Sequence, residues 1–268
     1  KAMTVTWLKS IEYSAGRCPT PEALAAHVNE LLRLQNAGVL SVASVHIPFF
    51  DDWTPAHLDP EQRRERLGRY RAFMEALRPL NPGNFTLHPS QEPNKPEDRP
   101  ALRAALRETL LGLVPVARDM GASINVEILP RTCMGNTAEE MADMLDGMPA
   151  EVGVCFDVNH LCGHPEKIAP GIRLLADRVR ALHLSDYDGV DECHWHPGLG
   201  VIDWAAVMEA VDDLPRQPLL IFEISPVTPP DWQCRTADPS IRCHNFERSA
   251  YFLEHAAELQ TAIAAFRG

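Results

Sequence analysis

Seven short apolar runs recur along the chain: TVTWL (4–8), SVASVHI (41–47), NFTLH (84–88), SINVEI (123–128), VGVCFDV (152–158), ALHLS (181–185) and LLIFEI (219–224). Most lack polar alternation and read as strands buried on both faces. The spaces between them read as helices. Thr20, Pro21 and Glu22, and again Asp59, Pro60 and Glu61, set a capping side chain, then a proline at the first helical position, then an acid near the positive end of the helix dipole. Thr137 and Glu140 have capping-box spacing, so a third helix is expected to begin there. Leu102, Ala105, Leu106, Leu110, Leu113 and Ala117 make one apolar helical face, with a kink expected at Pro115. Strand and helix in alternation imply parallel strands joined by right-handed crossovers, in either an open sheet or a closed barrel. No glycine-rich phosphate loop follows the first run, which removes the usual sign of the open sheet. The fold class expected is therefore α/β, a TIM (β/α) barrel with outer helices, forming a single domain over residues 1–268. Because seven strands are readable where such a barrel has eight, the missing first strand is expected before Lys1. A proline-rich polar stretch at 225–242 is expected to be a flap over the site.

Composition narrows the setting. With 45% hydrophobic and 23% charged residues among 268, the chain has the makings of a soluble globular protein. No run approaches the ~20 apolar residues of a membrane helix, and KAMTVTW does not resemble a secretory signal. The seven cysteines are odd in number and scattered, which suits reduced thiols and a cytoplasmic location; only Cys234 and Cys243 are placed to bridge. A formal net charge of −12 with no basic patch disfavours a nucleic-acid partner.

The ends of the runs carry the chemistry. In order they supply His46, His88, Glu127, Asp157 with His160 three positions on, His183 and Glu223. In a parallel barrel these all face one rim, where active sites are built. A single rim histidine is ordinary. Three carboxylates around one axis are not, because burying unpaired like charges costs several kcal/mol or more. A divalent cation relieves the conflict. The expected ligands are Glu127, Asp157, His183 and Glu223, three oxygens and one imidazole, a set open to Mn²⁺, Co²⁺, Mg²⁺, Fe²⁺ or Zn²⁺.

The segments VEILPR, FDVNH, HLSDYDG, ECHWHPGLGVIDW and FEIS, from about Val45 to the C-terminal helix, resemble the xylose-isomerase-like TIM-barrel superfamily of sugar isomerases and epimerases, which also includes endonuclease IV. The resemblance implies the same four metal ligands, with His160 touching substrate or a second metal. Its sugar branch implies a small-molecule, carbohydrate-like substrate and one ion that stabilises an enediolate, while Glu127 and Glu223 move the proton and His160 or His183 holds a substrate oxygen. Its endonuclease IV branch implies up to three ions for phosphodiester hydrolysis, with His46, His88, Glu192 and His194 as additional ligands. A third reading is a barrel kept for metal binding without catalysis. The acidic charge favours the sugar branch. Arg131, Asp186 and Trp195 are candidates for substrate binding: Arg131 for an anionic group unless neighbouring acids hold it, Asp186 for orienting His183 or catching a hydroxyl, and Trp195 for stacking on a sugar ring. Gly198 and Gly200 are expected to shape a tight turn before a helix capped by Asp203. The flank of such a barrel leaves room for a homodimer.

Overall fold

The computed structural model describes residues 10–15, 19–50 and 53–224. The strand expected over 4–8, any strand before it, the flap at 225–242 and the pair Cys234 and Cys243 lie outside the described residues. Among the described residues there are seven strands: β1 (Ser10–Ser14), β2 (Ser41–His46), β3 (Asn84–Leu87), β4 (Ser123–Glu127), β5 (Val152–Asp157), β6 (Val179–Leu184) and β7 (Leu219–Phe222). They pair in chain order, every neighbour parallel, and curve into a nearly closed TIM-barrel-like sheet. The helices α1 (Pro21–Asn36), α2 (Pro60–Leu77), α3 (Arg99–Met120), α4 (Ala138–Leu145), α5 (Ile168–Leu174) and α6 (Trp204–Asp212) provide the outer layer. β1 was not among the expected strands. SIEYS alternates Ile11 and Tyr13 with Ser10, Glu12 and Ser14, so it lacks the continuous apolar character of the others.

Local sequence explains the helix starts. Thr20 accepts from the Ala23 amide at 3.2 Å, Asp59 from the amides of Glu61 and Gln62 at 2.7 and 3.2 Å, and Thr137 from the Glu140 amide at 3.1 Å. Each satisfies an amide that the first helical turn leaves without a partner. The Thr137 capping box is completed differently from the usual pattern, because the Glu140 carboxylate accepts from the Gly135 amide and from Arg99. α3 runs on through Pro115, and its face of Ala105, Leu106, Leu110, Leu113 and Ala117 is buried against the barrel. Each buried leucine contributes about 1.5–3 kcal/mol relative to exposure.

Inside the barrel, alternation along each strand stacks a lower row, Ser44, Thr86, Asn125 and Cys155, beneath an upper row of titratable residues two positions later. Gly153 on β5 has no room for a side chain: a Cβ there would meet the Arg180 Cγ at 2.5 Å and the Asn125 Oδ1 at 2.8 Å. Cys133, Cys155, Cys162 and Cys193 are free thiols. Among the described residues, no helix is long and apolar enough to cross a membrane.

Candidate metal centre

The upper row converges. Three groups among the described residues bring possible ligand atoms within 4.8 Å of one another: His46, His88 and Glu127; Glu127, Asp157, His183 and Glu223; and Asp157, His160 and His194. Neighbouring groups share Glu127 or Asp157, so the three are continuous.

Glu127, the last residue of β4, sits at the hub. Its Oε2 accepts from His46 Nε2 at 2.9 Å and lies 3.2 Å from His88 Nε2, while its Oε1 accepts from His183 Nδ1 at 3.0 Å. Glu223 Oε2 is 2.8 Å from the same His183 nitrogen and Asp157 Oδ2 is 3.8 Å from it. The register that sets Asp157 beside His183 follows directly from the β5–β6 pairing. Beyond Asp157 the chain turns back on itself. The Asn159 amide donates to Asp157 Oδ1 at 2.6 Å, and the Asn159 side chain donates to Ser185 Oγ and the Asp186 carbonyl, both at 2.9 Å. That turn brings His160 over the centre, where Nδ1 donates to the Ile128 carbonyl at 2.7 Å and Nε2 lies 3.1 Å from Glu192 Oε2. His194, on the following loop, has Nε2 3.9 Å from Glu192 Oε2. His46 is fixed in the same manner as His160, its Nδ1 donating to the Ile47 carbonyl at 2.9 Å.

The substrate-binding candidates are placed differently. Both oxygens of Asp186 are occupied: Oδ1 accepts from the amides of Tyr187 and Ile202, and Oδ2 from the Gly198 amide and the Trp204 indole. The Asp186 carboxylate therefore ties down the 195–204 loop and does not hydrogen-bond to His183. Gly200 passes so close to this anchor that a Cβ would meet Asp186 Oδ1 at 2.3 Å. Arg131 forms ion pairs with Glu92, Asp191 and Glu192 at 2.7, 2.7 and 2.9 Å, bracing the loops around the rim. Trp195 is half-buried and pairs through its backbone with Asp186. Trp53 packs on Tyr70 and Phe73 in the core. Two contributors have no counterpart in the sequence reading. Asn159 was visible only as the interior of D-x-x-H. Glu12, on β1, places Oε2 3.0 Å from His183 Nε2; an acid in the middle of a short strand was its one available signal.

In the absence of a cation, protons hold this cluster together. Burial opposes charge on His46, but the hydrogen bond and negative charge of Glu127 override it and push the pKa up to about 9. Burial is likewise overcome at His160, raised to about 10 by Asp157 and Glu192, and at His194, raised to about 9 by Glu192 and Asp157. His183 is also held well above the usual histidine range by the surrounding negative groups. His88 goes the other way, burial lowering its pKa below the usual histidine range against the pull of Glu127. Burial pushes Asp157 up to about 6, whereas the histidines keep Glu127 and Glu223 below the ordinary carboxylate range against the effect of burial. Histidines with raised pKa values stabilise the folded chain fully below their unfolded value of about 6.5. That contribution is lost as pH rises through 9 to 10. Asp157, also raised, favours folding only at acid pH and has stopped doing so above about 6. We expect the unfolding midpoint of chelator-treated protein to fall between pH 7 and pH 10, and saturating Mn²⁺ or Zn²⁺, whose ligands must be deprotonated, to flatten that fall. Calorimetry across this range measures it, and equal slopes with and without the ion would contradict it.

The donor set fits a divalent ion. Asp157 Oδ2, Glu223 Oε2 and His183 Nε2 are buried without a hydrogen-bond partner among the described residues. The two oxygens face the nitrogen of His183 that Glu127 also approaches. Orphaned carboxylate oxygens at this depth are costly unless a cation takes them up. Three carboxylates with one imidazole are a hard to intermediate set, suited to Mg²⁺, Mn²⁺, Fe²⁺, Co²⁺ or Zn²⁺.

Parallel barrel and acid–histidine rim together define a TIM-barrel protein with a metal-site-like cluster at the C-terminal ends of its strands. The sequence model described as the xylose isomerase-like TIM barrel matches residues 9–238, and the chain belongs to that family. An uncharacterised protein of Methanocaldococcus jannaschii is 24% identical over 176 residues, a match spanning 63% of this chain and 60% of that protein. Among solved structures, the D-psicose 3-epimerase with D-tagatose from Clostridium cellulolyticum H10 superposes with a TM-score of 0.73 at 20% identity, covering 92% of this chain and 88% of that one. The 3-keto-D-glucoside 4-epimerase of E. coli gives 0.63 at 19% identity, covering 87% and 86%. At such identities the likeness is one of fold.

Proposed function

We propose that this chain is a divalent-metal-dependent isomerase or epimerase of a ketose or keto-polyol. The carrying observation is that two carboxylates at separate strand ends, Glu127 and Glu223, approach the same nitrogen of His183 at 3.0 and 2.8 Å. A bound divalent ion would supply Lewis acidity to adjacent substrate oxygens, making the neighbouring carbon-bound proton removable. Glu127, Asp157, His183 and Glu223 would hold it. The protein's own groups then divide the work. Glu127 is almost fully buried and pinned by three histidines, whereas the Glu223 side chain is 41% exposed, so Glu223 is the carboxylate able to take a proton from substrate. Glu127, itself ionised, would pass to the other side a proton drawn from the His46 imidazole that donates to its Oε2, and His160, fixed through Nδ1, presents Nε2 to a substrate oxygen. Relatives that bind D-tagatose or act on sugars support the substrate class. Incubating the protein with a panel of ketoses and keto-inositols in heavy water with Mn²⁺ or Co²⁺ tests the reading. Deuterium at the carbon beside the carbonyl supports it, and none across the panel counts against it.

One observation favours a second reading, phosphodiester hydrolysis on several ions: the flanking groups His46–His88–Glu127 and Asp157–His160–His194 adjoin the central one through shared ligands, with Glu192 beside His160. The net charge of −12 weighs against a polyanionic substrate. Cleavage of an abasic oligonucleotide by protein carrying three ions would make this second reading the better one.

A further inference from the structure

The histidines of the rim are braced in two ways. His46 and His160 each give Nδ1 to a backbone carbonyl, of Ile47 and Ile128. His183 instead has a carboxylate behind it. Glu12 Oε2 lies 3.0 Å from His183 Nε2, on the side away from the Nδ1 that faces Glu127, Asp157 and Glu223. The contact is an ion pair at an oblique angle, close enough for charge while Nε2 has no aligned hydrogen-bond acceptor. Glu12 is itself held. Its Oε1 accepts from Ser44 Oγ at 2.6 Å, and the β1–β2 register sets Glu12 directly beside Ser44. The side chain is 9% exposed, so solvent does little to screen it.

We infer that Glu12 is a positioning residue for the metal centre: held by Ser44, its buried negative charge beside Nε2 favours the His183 tautomer protonated there and leaves the Nδ1 lone pair for the ion. An imidazole ligand whose far nitrogen meets a carboxylate has a fixed tautomer and orientation and is the more basic for it, and losing such a partner typically weakens metal binding about 10–100-fold. Glu12 also adds a negative charge behind the ligand set without occupying a ligand position. This inference rests on the metal-binding reading proposed above.

The test uses the full chain and bare ions. Zn²⁺ affinity is measured by competition with a chromophoric chelator, and the visible absorption of the Co²⁺-loaded protein is recorded beside it. Glu12→Gln, which keeps the shape and removes the charge, is expected to weaken Zn²⁺ binding about tenfold or more and to shift the Co²⁺ bands. Glu12→Asp, which restores the charge on a shorter arm, is expected to recover part of both. A Glu12→Gln protein with wild-type affinity and an unchanged Co²⁺ spectrum overturns the inference while leaving the metal site standing. Wild-type protein that binds neither ion overturns the inference and the metal reading together. Should Glu12→Gln fail to fold, Ser44→Ala takes its place, with an expected loss of about threefold, smaller than the ~10–100-fold for losing a direct partner because Ser44 acts only through Glu12; no loss there overturns the inference.

Discussion

Glu223→Gln is expected to lower turnover, and the rate of solvent deuterium entry into substrate, by about 10²–10⁴-fold, the range typical of losing a positioned acid or base. The effect should be specific to chemistry and ion binding. Glu223 is the most accessible of the three central carboxylates, and its charge raises the pKa of Asp157. Replacing it with a neutral amide removes an ion partner of His183 but also relieves repulsion within the cluster. The stability of the metal-free chain is therefore expected to change by no more than about 1 kcal/mol, a small value on the scale of single substitutions. Exchange followed by mass spectrometry, alongside urea denaturation, separates the two quantities. A variant that exchanges at the wild-type rate would show that the proton carrier is another group.

Glu127→Ala should act on the fold itself. Three histidines converge on this carboxylate, and it is 1% exposed. Removing one partner of a buried ionic network strands the others, at a cost of about 3–5 kcal/mol. Here the strand ends β2, β3, β4 and β6 would lose a common attachment. The His46 pKa, about 9 with its partner in place, would fall, because the burial that lowers it would then be opposed by the charge of Glu12 and no longer by a hydrogen-bonded carboxylate. Denaturant unfolding gives the stability loss and NMR titration of the imidazoles gives the pKa. A loss below about 1 kcal/mol, the ordinary value for a single substitution, would show that the histidines find other partners.

The legible parts of this molecule are those where one residue type carries one physical demand. Apolar runs broken by a single titratable residue revealed the strand ends, and Thr20, Asp59 and Thr137 marked helix starts because a capping oxygen acts on amides only two or three positions away. Direction was harder to read. H-x-S-D places Asp186 two residues after the end of β6, yet three of its four donors, Gly198, Ile202 and Trp204, lie 12, 16 and 18 positions later, where the chain folds back on it. Arg131 and its acidic partners are separated by 39 to 61 positions, a distance across which spacing carries no signal. β1 escaped notice because polar residues alternate through it, and with it went Glu12, whose importance depends wholly on a histidine at the far side of the barrel.

The dependence of the rim on a cation is tested most directly by elemental analysis of protein loaded with Mn²⁺, Co²⁺ or Zn²⁺ and freed of excess ion, compared with Asp157→Ala treated identically. At least one tightly held divalent ion per wild-type chain, reduced or lost in the variant, is the expected result. Wild-type protein that retains no ion under any of the three loadings would contradict it, leaving the histidines and carboxylates as a set of proton-mediated pairs.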